Sequence, residues 1–382
     1  GRTGFVTGCC GAPARWAGRP ALEQETLARF TSFWEDAGRP AILTACSSCT
    51  WMLSRHLPDA DIVSLYKTLL DLKDCLPAVP RNTAPDPVNI IDPCTAREDR
   101  EVQMAVRTLV RSAGMIIEEL PAAGALTECC GFGGLVFNAN PTLTQKINQQ
   151  RAGQSDRDFL AYCAMCRDRL ARVGKRTAHL LDLFWPQTDH PEQRRDPGFS
   201  GRHDNLARVK HRMLAELWQE SPASPPSQTP AVPVRYRPGV KEILEGHFIL
   251  ESDIEQVLAH VGTGTPPFYN PDTGTHIAFF RPARVCFWVA FQKHDTGIDI
   301  VNAWSHRMQV IPNTLFVPGT PTEPHTETIV CQKCDGRELG FFKNHVEYLG
   351  SRFDVVLPQC KNCGMIYISP DIARGRMAEV EK

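Results

Sequence analysis

The chain has 382 residues, with 42 basic against 43 acidic side chains and a formal net charge of -1. Near-neutrality supplies no general attraction to nucleic acid or to an anionic membrane. A hydrophobic share of 42% against 22% charged residues excludes wholesale disorder. No apolar run approaches the roughly 18 residues of a membrane span, and Gly1-Arg2-Thr3-Gly4 carries no signal-peptide pattern. The 15 cysteines therefore point to a reducing cytoplasm, where clustered thiols serve as metal ligands or redox groups.

From the start of the chain, Gly8-Cys9-Cys10-Gly11 leads to Ala41-Ile42-Leu43-Thr44-Ala45 and then Cys46-Ser47-Ser48-Cys49. The pattern returns as Glu128-Cys129-Cys130-Gly131, then Phe159-Leu160-Ala161-Tyr162 and Cys163-Ala164-Met165-Cys166. Leu69-Leu70-Asp71-Leu72 echoes Leu180-Leu181-Asp182-Leu183. One module used twice is the reading, over residues 1–86 and 87–219. Before the second copy, Val88-Asn89-Ile90-Ile91 is a short apolar strand ending at Asp92-Pro93-Cys94. Glu98 to Ala113 has helical spacing, with Val102, Val106, Leu109 and Val110 on one face. Gly114 ends that helix, and Met115-Ile116-Ile117 starts another strand. Alternating strands and helices predict a parallel sheet with ligands at the carboxyl ends of its strands, where the cysteines fall. Only eight residues precede Cys9, leaving no room for a counterpart of Cys94. By repeat symmetry, about 30–40 residues of the natural protein are expected to be missing there.

Cys94, Cys129, Cys130, Cys163 and Cys166 are too many thiolates for one tetrahedral zinc. Adjacent cysteines suit a cluster that needs several thiolates close together. Gly131, Gly133 and Gly134 let backbone approach a bulky inorganic core and aim N–H groups at its sulfurs. Buried structural thiols and zinc are the rival readings. These residues resemble the cysteine-rich CCG domain, which occurs in tandem in one of the subunits of heterodisulfide reductase. Related copies occur in iron–sulfur subunits of bacterial oxidoreductases that act on glycolate, lactate and glycerol 3-phosphate. The resemblance covers about residues 1–185. It implies an α/β fold of two pseudo-symmetric modules, the first truncated, and a 4Fe-4S cluster, cubane or noncubane, on Cys94, Cys129, Cys130, Cys163 and Cys166. In the first module it reaches only Cys9, Cys10, Cys46 and Cys49, four ligands that suit a cubane cluster.

Residues 220–234, rich in Pro and Ser, are expected to form a linker. Residues 235–320 are expected to form a small α+β domain. Val240 to Val261 is helical in spacing, and His276–Phe280, Val285–Phe291 and Ile298–Ala303 read as antiparallel strands. Ala303-Trp304-Ser305-His306-Arg307 reads as a packed strand end. Cys286 reads as a buried small hydrophobe, Cys75 as incidental, and His179 as a helix-surface residue rather than a cluster partner. A Pro-rich break from Val317 to Pro324 precedes residues 321–382. There Cys331-Gln332-Lys333-Cys334 and Cys360-Lys361-Asn362-Cys363, with a strand at Phe353–Leu357, resemble a zinc ribbon. A rubredoxin-like iron site and a dithiol pair are the alternatives. This ribbon is expected to be independent of its neighbours.

No dinucleotide fingerprint, phosphate loop or serine elbow is present, so a flavin or nicotinamide belongs on a partner. The expected function is an iron–sulfur subunit of a cytoplasmic oxidoreductase, relaying electrons with flavin- or iron–sulfur-containing subunits. Reduction of a disulfide, as in heterodisulfide reductase, would need a cleft beside the second cysteine group. The competing class is a non-catalytic, zinc-bound scaffold that docks partners. Neither class involves nucleic acid.

Overall fold

Ile90 and Ile91 point to opposite faces of one strand and both are buried, as a parallel strand covered on both sides requires. That strand belongs to a computed structural model that describes residues 3–79, 86–220, 233–312, 315–317, 328–334 and 338–381, apart from residues 7, 263 and 265. The chain divides into two compact units, Gly1–Pro197 and Gly198–Lys382. The architecture is mixed α/β.

In the first unit, α1 (Ala12–Trp16) and α2 (Pro20–Asp36) precede β1 (Ile42–Thr44), α3 (Ser47–His56), β2 (Ile62–Ser64) and α4 (Leu65–Asp71). β1 and β2 pair in parallel. Then come β3 (Asn89–Ile91), α5 (Arg100–Ser112), α6 (Val136–Ala139), α7 (Pro141–Ala152), β4 (Phe159–Ala161), α8 (Ala164–Arg172) and β5 (Thr177–His179). β3, β4 and β5 form a parallel sheet in that order. α5 buries Val102, Val106, Leu109 and Val110 against it, the face expected from their spacing. The strand expected at Met115–Ile117 shrinks to a single parallel bridge, Val88 to Ile117. Ile116 there is exposed, so no second covered face sustains it. The Leu69–Leu72 echo is also displaced. Leu180 directly follows the N-cap His179, whereas the residue that directly follows the N-cap Ser64 is Leu65, about one turn before Leu69.

The second unit begins with α9 (Gly198–Leu217), which the expected boundary at 219 assigned to the preceding module. Next come β6 (Val234–Tyr236), α10 (Val240–Gly246) and α11 (Glu251–Val261), then β7 (Phe268–Asn270), β8 (Thr275–Phe280), β9 (Cys286–His294), β10 (Gly297–His306) and β11 (Gln309–Ile311). The chain continues with β12 (Val330–Cys331), β13 (Leu339–Tyr348) and β14 (Ser351–Cys360). A six-stranded sheet has the order β12-β7-β8-β9-β10-β6, and a second sheet the order β11-β13-β14. Val240, Leu244, Ile254 and Val257 cover one face of the larger sheet over Val289, Phe291 and Ile300. On its other face Phe268, Trp288 and Trp304 pack with Val346, Leu357, Tyr367 and Ile368.

This last core spans the expected division at residue 320. Residues from both sides of it share one hydrophobic cluster, and β12 is an edge strand of the larger sheet. A segment of about 60 residues has too little apolar surface to close a core alone, and it borrows the two tryptophans. Of the expected Pro/Ser-rich linker, residues 221–232 lie outside the described residues, as do 318–324 of the weaker break. Cys286 is buried and Cys75 exposed. Trp304 donates its indole N–H to the Ile368 carbonyl at 2.9 Å across the shared core. Trp304→Phe should leave that carbonyl unpaired and lower unfolding stability by about 1–3 kcal/mol, read by urea denaturation.

Candidate metal centres

Cys46 and Cys163 occupy the same local position. Each lies two residues past a short parallel strand, in extended backbone, at the N-cap of the following helix. The helical turn then brings Cys49 beside Cys46 and Cys166 beside Cys163, close enough to share thiol hydrogen bonds. The paired-cysteine turns are alike as well. The Gly11 N–H donates to Cys9 Sγ at 3.4 Å, and the Gly131 N–H to Cys129 Sγ at 3.2 Å. Gly131 has φ 76°, and a Cβ there would stand 3.1 Å from Thr144 Cγ2, so only glycine fits.

In the second group the sulfurs form a contiguous row. Cys94 meets Cys129 at 4.0 Å, and hydrogen bonds continue from Cys129 to Cys130, Cys166 and Cys163. In the first group the row runs Cys9, Cys10, Cys49, Cys46. Thiols within each row differ in acidity because they share hydrogen bonds with their neighbours. Hydrogen bonds from Cys49 and Cys9 pull Cys10 down, and those from Cys130 and Cys94 pull Cys129 down. The donors Cys49 and Cys94 are pushed up in return. The donor set is entirely soft thiol with backbone N–H at the sulfurs, which suits an iron–sulfur cluster.

Polar residues that carry no motif of their own hold these turns. Asp92 is buried, and its carboxylate accepts a two-pronged contact from Arg107 at 3.0 and 2.8 Å. It also accepts from the Gly124 N–H at 2.7 Å and the Tyr162 hydroxyl at 2.8 Å. Burial opposes its charge, but the Arg107 hydrogen bonds and charge, with Gly124 and Tyr162, outweigh it and hold the carboxyl below the usual range. The Asp92 carbonyl accepts from Thr127 Oγ1 at 2.7 Å and from buried Arg151 at 2.9 Å. Arg151 also reaches the Glu128 carbonyl. Tyr66 donates to the Tyr162 carbonyl at 2.6 Å and lies 3.2 Å from the Ala45 carbonyl, the residues just before Cys163 and Cys46. In the sequence, Asp92, Thr127 and Tyr162 are signalled only by lying within two residues of a cysteine, and Tyr66, Arg107 and Arg151 carry no signal. His179 is half-buried at the end of β5 rather than on a helix surface. Its Nδ1 accepts the Leu181 N–H, and burial pushes it down to about 4. A cleft of about 790 Å³ lies beside Cys94, between Ser47, Ser48 and Trp51 on one wall and Thr95 and Arg97 on the other.

Cys331, Cys334, Cys360 and Cys363 make a different object. Their four sulfurs lie within 4.8 Å of one another, the only set of four potential ligands that does so among the described residues. Cys331 and Cys363 are 3.7 Å apart, and Cys334 and Cys360 3.5 Å. A tetrahedron with metal–sulfur bonds of about 2.3 Å has edges of about 3.8 Å. Gly364, with φ 72°, completes the second knuckle by donating to the Cys360 carbonyl at 3.0 Å. Burial pushes the Cys331 thiol up to about 12, and a bound cation would favour its thiolate. Zinc and iron both fit these dimensions.

The family model described as a cysteine-rich domain, CCG, matches residues 6–54 and 88–181. A domain of unknown function, DUF7479, matches residues 327–382. No curated protein and no solved structure matches the chain. No helix among the described residues is long and apolar enough to cross a membrane.

Asp92→Asn keeps the shape but removes the charge facing Arg107. It should cost about 3 kcal/mol at neutral pH. A depressed carboxyl stabilises above its unfolded pKa of about 3.9, and that stability drains as pH falls through its lower folded value. Wild-type stability should therefore drop more steeply below about pH 4 than that of the variant, in chemical melts at stepped pH.

Proposed function

We propose that this chain is a thiolate metalloprotein associated with redox chemistry. Its second unit is a non-catalytic scaffold stapled by one zinc ion on Cys331, Cys334, Cys360 and Cys363. The carrying observation is the four-sulfur cage, whose edges suit a single tetrahedral ion. A staple there would tie β12, at the edge of the larger sheet, to the end of β14 in the smaller one. Docking of partner proteins is the role such a scaffold would serve. Metal analysis tests the assignment: one zinc per chain is expected, and Cys331→Ser should lose it. Because the tryptophan core is shared, that variant should destabilise the whole second unit, seen as a change in tryptophan fluorescence on zinc chelation of the wild type. Iron at this site in place of zinc would refute the assignment.

A second reading concerns the first unit, favoured by the two sulfur rows and the CCG match over both regions. Here the two regions are pseudo-symmetric modules, each holding a 4Fe-4S cluster, cubane or noncubane. The ligands would be Cys94, Cys129, Cys130, Cys163 and Cys166 in one and Cys9, Cys10, Cys46 and Cys49 in the other. A bound cluster supplies one-electron transfer. The glycine N–H groups orient and stabilise thiolates, and Tyr66 spans the carbonyls before Cys46 and Cys163. The chain would relay electrons in a cytoplasmic complex with flavin- or iron–sulfur-containing subunits. The cleft beside Cys94 is where a disulfide would enter in a catalytic version like heterodisulfide reductase. Protein purified without oxygen should be brown and contain iron and sulfide. Cys129→Ser should lower the iron and leave the zinc. Colourless protein with zinc alone would leave the scaffold as the whole function.

A further inference from the structure

β14 is the outer strand of its sheet. It follows β13 through the two-residue turn Leu349-Gly350, with φ 49° and 83°. Tyr348 faces Ser351 as the closing pair, and such a pair is hydrogen-bonded in a two-residue hairpin. Alternation then turns the backbone N–H and C=O groups of Arg352, Asp354 and Val356 outward. Among the described residues, the outer edge is met only farther along. There the Pro358 carbonyl accepts from the Tyr367 N–H, and the Cys360 N–H donates to Met365, each at 2.8 Å. Residues 351–354 are exposed, with Phe353 at 40% and neighbouring Leu349 at 88%.

We propose that this edge pairs antiparallel with the same edge of a second copy, on a two-fold axis through Phe353. Arg352 then faces Asp354 of the second copy, and both are outward-turned residues able to exchange backbone hydrogen bonds. Within each hairpin Glu347 faces Arg352, and His345 faces Asp354. One face of the joined sheet therefore carries Glu347, Arg352, Asp354 and His345 in one row across four strands, with signs that alternate when His345 is protonated. Lys343, 2.6 Å from Asp354, adds positive charge at that end. On the opposite face Val346, Phe353, Phe353 and Val346 align as an apolar row. Sliding the register by two residues sets Arg352 on Arg352 or Asp354 on Asp354. Sliding by one puts outward groups opposite inward ones. Charges on an edge strand ordinarily discourage pairing. Here they discourage these neighbouring registers and favour one, since opposite charges facing across strands attract and like charges repel. The paired stretch is short and covers less than the roughly 1,200 Å² of a standard stable interface, so the dimer is weak and concentration-dependent.

Sedimentation velocity on the full metal-loaded chain tests the pairing over a concentration series to about 1 mM. Arg352→Asp gives an edge with two acidic groups, and Asp354→Arg one with two basic groups. Each variant alone should raise the dimer dissociation constant at least about tenfold. An equimolar mixture should recover the association, because each edge then complements the other. Recovery on mixing cannot come from folding, since each chain's own hairpin is unchanged by the mixing. Wild-type protein that stays monomeric throughout would overturn the proposal. So would a dimer indifferent to either substitution, or a mixture no better than its components.

Discussion

A single buried carboxylate organises the first unit. Asp92 ends β3 and binds Arg107 on α5, the turn at Gly124 and the hydroxyl of Tyr162, while its own carbonyl takes Thr127 and Arg151. Of those partners, Thr127 and Tyr162 lie just before Cys129 and Cys163, and Arg151 also reaches the Glu128 carbonyl beside Cys129. A charge taken out of water must be fully matched, so Asp92 tolerates few arrangements of its neighbours. That intolerance fixes where three separate cysteine-bearing turns stand. Tyr66 extends the same network to the turn before Cys46.

The two cysteine arrangements show two ways of bringing thiols together. In the first unit, parallel strands deliver cysteines at their carboxyl ends, and helix N-termini and glycine N–H groups meet them. The result is a row of sulfurs, most of them buried or half-buried, rather than a closed cage. In the second unit, two knuckles on antiparallel strands oppose one another and close to a tetrahedron's dimensions. A row can embrace a multinuclear group, whereas a cage has space for one ion.

The second unit also shows why a four-cysteine cage need not mean an independent domain. Its last segment buries Val346, Leu357, Tyr367 and Ile368 against Trp288 and Trp304 of the preceding one. Trp304 carries a hydrogen bond to Ile368 across that packing. The four-cysteine cage and the buried apolar core therefore meet at the same junction.

Local patterns determined much of this protein without any structure. Repeated paired cysteines flanked by glycine, the short apolar strands and the face of α5 all follow from adjacent residues, because backbone geometry and periodicity act over a few positions. The two knuckles at Cys331–Cys334 and Cys360–Cys363 were legible for the same reason. What the linear order withheld depends on contacts between distant residues. Asp92 reads as a loop aspartate until Arg107 and Tyr162 reach it, and His179 as a helix-surface histidine until it is placed at the end of β5. The division at residue 320 looked natural because proline-rich composition signals a break. Only tertiary packing decided that apolar side chains on both sides, each too few to exclude water alone, would share one core.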